Sequence, residues 1–65
     1  MKPFPLTERQ AEVAERVARG LTNKEIARDI GVSVETVRVH ISEAAERLPG
    51  TAFPRHRLTL WFLGK

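Results

Sequence analysis

The chain has 65 residues, enough for one small domain, and carries eleven Lys and Arg against eight Asp and Glu, a net charge of +3 that biases it only mildly towards polyanions. It has no cysteine, which excludes a disulfide framework, and its two histidines, His40 and His56, lack the carboxylate or thiolate neighbours of a metal site, so no cofactor is expected. No stretch approaches the roughly 20 apolar residues that cross a bilayer, and "MKPFPLTERQ" lacks the apolar run of a signal peptide, so the expected location is cytoplasmic with no membrane partner.

Signals for helix ends are dense. Thr7 and Gln10 have the spacing of a capping box, in which a threonine hydroxyl and a glutamine side chain satisfy each other's backbone N–H groups. Leu6 and Ala11 occupy the positions of a weak hydrophobic staple, Val13, Ala14, Val17 and Ala18 follow at helical spacing, and Gly20 can take positive φ beyond the end. These predict a first helix over about 7–19. Thr22 and Glu25 repeat the box, Ile26, Ala27 and Ile30 form a stripe, and Gly31 stops a short second helix over about 22–30. Ser33 can cap a third, over about 33–48, whose stripe is Val34, Val37, Ile41, Ala44 or Ala45, and Leu48; Pro49-Gly50 ends it. There is no strand-like alternation, no repeat and no low-complexity segment.

A fourth helix fits about 54–63, with Pro54 suited to its first turn. Leu58, Trp61 and Phe62 share one face, whereas Leu60 and Leu63 lie away from them. A surface helix of a monomer needs only one apolar face. The second either covers the N-terminal segment around Phe4 or forms a partner surface, most simply for an identical chain. The expected fold is all-α: a compact four-helix domain over 1–65, with a helix-turn-helix at 22–48 and a dimer or partner helix at 54–63.

Two short helices across a glycine-containing turn, "EIARDIGVSVETV", have the helix-turn-helix layout, in which the second helix of the pair enters the major groove by its N-terminal half. With Val34, Val37 and Ile41 on the core, Glu35, Arg38, Val39 and Ser42 face outward. A β-branched valine between Arg38 and His40 on the outer side is unexpected for a face that meets only water.

The residues are more specific than the layout. Leu6-Thr7, Glu12-Val13, the run "GLTNKEIA" at 20–27, Ile30, Val32-Ser33, Thr36-Val37-Arg38 and His40 together resemble the DNA-binding domain of LuxR-type (GerE-type) bacterial transcription regulators. The likeness covers about residues 6–48. It implies four helices, the third reading the major groove and the fourth making a homodimer contact; the apolar pattern of the fourth helix makes Leu58, Leu60, Trp61, Phe62 and Leu63 the candidates for that dimer or partner surface. It places base reading on Arg38, Val39 and Ser42, and backbone contact on Asn23, Lys24 and Thr36. Chemistry supports the same positions. Arg38 can fork onto guanine O6 and N7, Val39 can press on a thymine methyl, and Lys24 can reach a phosphate. Glu35 can accept from cytosine N4, or merely complement the positive helix N-terminus. Thr36 can instead serve the helix start, and His40 is as suited to packing or a backbone hydrogen bond as to DNA. Arg55, His56 and Arg57 either stay solvated or touch phosphate together.

Some positions depart from the family. Ser42 stands where many members are basic, and Glu43 and Glu46 make the far half of the third helix acidic, which confines DNA contact to its first two turns. The loop and fourth helix, "PGTAFP" and "LTLWFL", depart most. Many members carry a sensory or receiver domain ahead of this module; here the motif begins at Leu6, which fits either a small stand-alone regulator or an excised domain.

Three functions compete. The first is sequence-specific binding of double-stranded DNA for transcriptional regulation, as a dimer. The second is a protein-interaction module on the same scaffold, binding RNA polymerase or another regulator through the fourth helix. The third is a likeness to the promoter-reading region of sigma factors, over which "LTNKEIA" and the spacing to "TVRVH" favour the LuxR type modestly. An enzyme is not expected: no cysteine nucleophile, glycine-rich phosphate loop or pocketed carboxylate pair is present.

Overall fold

Both capping boxes close in the computed structural model, which describes residues 6–48 and 53–64. Thr7 Oγ1 accepts from the Gln10 N–H at 3.1 Å, and the Thr7 N–H donates to Gln10 Oε1 at 3.0 Å. Thr22 and Glu25 make the same exchange at 3.1 and 2.8 Å. These start helices α1 (Glu8–Ala18) and α2 (Asn23–Ile30); α3 (Val34–Glu46) and α4 (Pro54–Phe62) follow. Gly31 ends α2 at φ 74°, and its N–H donates to the Ala27 carbonyl at 2.9 Å. A residue with a Cβ pays roughly 1–2 kcal/mol in that left-handed conformation, so glycine allows the chain to reverse within Gly31, Val32 and Ser33. Pro54 occupies the first turn of α4, where its missing N–H leaves no hydrogen bond unmade.

The helical stripes meet in one core. Val13, Ala14 and Val17 from α1, Ile26 and Ala27 from α2, and Val37, Ile41, Ala44 and Ala45 from α3 are buried, and Leu6, Leu48 and Leu58 complete the cluster. Four of these are alanines, which lets the helix backbones approach closely. α1 and α3 pack on each other and on α4, while α2 sits mainly against α3. Where α2 meets α1 more thinly, Arg16 bridges them: Nε donates to Asp29 Oδ2 at 2.5 Å and Nη1 to the Glu12 carbonyl at 3.0 Å. The hydrogen bond to Asp29 holds the Arg16 guanidinium above its ordinary pKa. Asp29 is largely open to water, so the pair contributes no more than about 1 kcal/mol. Among the described residues, no helix is long and apolar enough to cross a membrane.

One stripe position differs from expectation, and it lies at a helix end. Val34, expected on the core, is 40% exposed. It is the first residue of α3, and Val32 in the preceding turn packs against the core instead. Phe62 shares a helical face with buried Leu58 yet is 43% exposed, because it falls in the last turn of α4. Trp61 packs on the core and Leu60 is half-buried, while Leu63 and Phe53 are exposed. Of the five residues expected on a partner surface, Leu58 is fully buried and belongs to the core, Leu60 and Trp61 are half-buried, and Phe62 and Leu63 are exposed. Phe4 and Pro49-Gly50, invoked above as a cover for α4 and a stop for α3, lie outside the described residues.

Candidate nucleic-acid interface

The N-terminal half of α3 is fixed from both sides. Ser33 Oγ accepts from the Thr36 N–H at 3.1 Å and pairs with the Thr36 hydroxyl at 2.9 Å, so the entry to the helix is closed by its own residues. Val37 and Ile41 anchor the inner side. At about 100° per residue, that anchoring turns Glu35, Arg38, Val39 and Ser42 outward, and all four are exposed. Val39 is 45% exposed, so the outer valine does not fold back onto the core.

Arg38 is only loosely held. Its Nη1 lies 3.9 Å from Glu35 Oε1, with both side chains mostly in solvent, a pairing of negligible strength. Its guanidinium fork can therefore turn to a new acceptor at little loss. Beyond Ser42, Glu43 and Glu46 are exposed, so the far half of α3 presents two carboxylates outward.

The backbone-contact positions are less alike than the sequence implies. Lys24 is exposed, and among the described residues its ammonium has no ion-pair partner. Asn23 is half-buried, with Oδ1 accepting from Arg55 Nη1 at 2.6 Å. Thr36 is half-buried, and its hydroxyl lies 2.9 Å from Ser33 Oγ in a contact local to the helix start, which leaves that hydroxyl capacity for a further partner. His40 is half-buried and makes no side-chain hydrogen bond among the described residues, in keeping with packing.

The basic triplet of α4 is divided by the fold. Arg55 donates to Asn23 and, through Nη2, to the Leu21 carbonyl at 2.6 Å; Arg57 Nη1 donates to the Ala45 carbonyl at 3.1 Å; only His56 is exposed. Two of the three thus act as internal braces between α4 and its neighbours. Sequence reasoning also passed over Arg28. It is exposed one turn after Lys24, and the i,i+4 spacing that puts both cations on one side of α2 was available as a signal.

Comparison with known proteins fits this arrangement. The family described as bacterial regulatory proteins, luxR family, matches residues 4–51. The transcriptional regulatory protein UhpA of Escherichia coli is 48% identical over 44 residues, covering 68% of this chain and 22% of UhpA. The nitrate/nitrite response regulator protein NarP of the same organism is 45% identical over 47 residues, covering 71% of the chain and 22% of NarP. The spore germination protein GerE of Bacillus subtilis is 47% identical over 47 residues, 72% of this chain and 62% of GerE. The chain thus spans about a fifth of the two longer relatives. No solved structure gives a significant match. With a family match across most of its length, over the same capped helices that present Arg38 and Val39, the chain belongs to the luxR family of bacterial regulatory proteins.

Proposed function

We propose that the chain binds double-stranded DNA sequence-specifically, as a homodimer in the cytoplasm, to regulate transcription. In this reading α3 enters the major groove, Arg38 and Val39 carry most of the base reading with Ser42 and Glu35 beside them, and Asn23 and Lys24 contact the backbone. The observation that carries it is the exposed pair Arg38 and Val39 on a helix end that is capped by Ser33 and anchored by Val37. A valine is poorly suited to water and well suited to a thymine methyl, while its neighbour supplies a donor fork for guanine. Family membership and the transcriptional regulators among the relatives support the same reading.

Selection of bound sites from random duplex DNA, with the mass of the complex measured, tests binding, specificity and stoichiometry together. The expected product is a symmetric site with half-sites about one helical turn apart. About three or four phosphates neutralised per subunit give a log–log salt slope near −6 for the dimer. A selected site bound less than about tenfold more tightly than random DNA would remove sequence-specific regulation, since specific sites typically gain about a thousandfold or more. Lys24→Ala should weaken selected and random duplexes by the same factor and lower the slope by about 1 per subunit, because it removes a charge that reads no base.

A second reading rests on the apolar surface of α4. Phe53, Phe62 and Leu63 are exposed there, more than a solitary helix needs. A chain that binds no DNA at low salt, yet binds RNA polymerase or another regulator through this surface, would be an interaction module on the same scaffold.

A further inference from the structure

Among the described residues, Arg55 joins α4 to the start of α2 although those two helices do not pack on each other. Its guanidinium spans the N-cap Thr22, donating through Nη2 to the carbonyl of Leu21 on one side and through Nη1 to Oδ1 of Asn23 on the other, both at 2.6 Å. The fork geometry of arginine suits two acceptors held this way, and the half-buried setting of both side chains shelters the bonds from water.

The contact determines which way the Asn23 amide faces. A guanidinium has donors and no acceptor, so only Oδ1 can meet it; the reversed amide would set two donors against each other. Nδ2 therefore keeps both hydrogens for another acceptor, and it has no partner among the described residues. We propose that Arg55 is a positioning residue for DNA binding: it holds the Asn23 amide with Nδ2 free to donate to a DNA phosphate and does not itself meet the DNA. This rests on the reading that Asn23 contacts the backbone. It assigns to a cation on α4 a role that its charge alone would suggest is a direct phosphate contact.

The test is a double-mutant cycle on random-sequence duplex, followed by fluorescence anisotropy across a salt series, with far-UV circular dichroism to confirm folding. Asn23→Ala and Arg55→Gln should each weaken binding about fivefold, the size of one hydrogen bond. The double variant should also lose about fivefold, because the second change removes an interaction already gone. Neither variant should change the salt slope, since Asn23 is neutral and Arg55 releases no counterion. Additive losses, or full affinity in Arg55→Gln while Asn23→Ala is weakened, would overturn the positioning role alone. A slope reduced by about 1 in Arg55→Gln would make Arg55 a direct phosphate ligand and also overturn it. Full affinity in Asn23→Ala would remove the underlying backbone contact, and this inference with it. Nuclear magnetic resonance of the unmutated chain gives an answer even if Arg55→Gln fails to fold. The Asn23 Nδ2 resonances should shift on adding duplex while the Arg55 guanidinium resonances stay near their free positions, and the reverse pattern would overturn the proposal.

Discussion

Leu58→Ala should destabilise the domain by about 2–5 kcal/mol, the range for a fully buried leucine whose site cannot collapse. Leu58 is the only side chain of α4 that is completely buried, and it lies where α4 meets both α1 and α3. Partly buried Trp61 and the Arg55 and Arg57 braces add to the attachment of α4. A core of this size rarely supplies more than about 3–5 kcal/mol in total, so the variant should lose most of its stability and unfold at a much lower urea concentration than the unmutated chain. Urea denaturation followed by far-UV circular dichroism measures the loss. Leu63→Ala is the matched control: at 57% exposure it should move the stability by less than about 0.5 kcal/mol. If the two variants unfold at the same urea concentration, α4 is not held by its buried leucine, and the fourth helix is an appendage to a three-helix core.

What was legible in the sequence is what depends on short range or on angle. Capping boxes involve residues three apart, so Thr7 with Gln10 and Thr22 with Glu25 could be placed before any tertiary information existed. The outward direction of Glu35, Arg38, Val39 and Ser42 follows from helical angle once Val37 and Ile41 are set inward. Angle does not give position along the helix axis, and this is why Val34, the first residue of α3, is exposed although it shares an angle with the core stripe. The partners of Arg55 were illegible for another reason. Leu21 and Asn23 lie 34 and 32 residues away, and adjacency to His56 and Arg57 pointed to a basic cluster that the fold takes apart. Thr36 shows a local partner beside any DNA contact: Ser33, three residues earlier, engages its hydroxyl.

Arg38→Ala should reduce affinity for the selected operator by about 1–3 kcal/mol while changing affinity for random duplex much less. The ground state supports a clean measurement. Arg38 is exposed, its contact with Glu35 at 3.9 Å is weak, and its removal leaves no buried group without a partner, so the fold should be unaffected. The loss therefore reports on the bound state, where a guanidinium forked onto guanine O6 and N7 satisfies two acceptors that alanine cannot reach. Competition binding against operators substituted at each base pair makes the assignment positional: specificity should relax at one base pair per half-site and hold elsewhere. Glu35 supplies an internal check. Glu35→Gln removes a like charge from the phosphate field and a partner from Arg38, so it should strengthen binding to both duplexes by a similar small factor unless Glu35 itself accepts from cytosine N4, in which case one further base pair loses its preference. Should Arg38→Ala weaken operator and random DNA equally, Arg38 is a phosphate ligand. The reading would then pass to Val39 and Ser42, whose single methyl contact and lone hydroxyl are too little to separate an operator from a genome of competing sites.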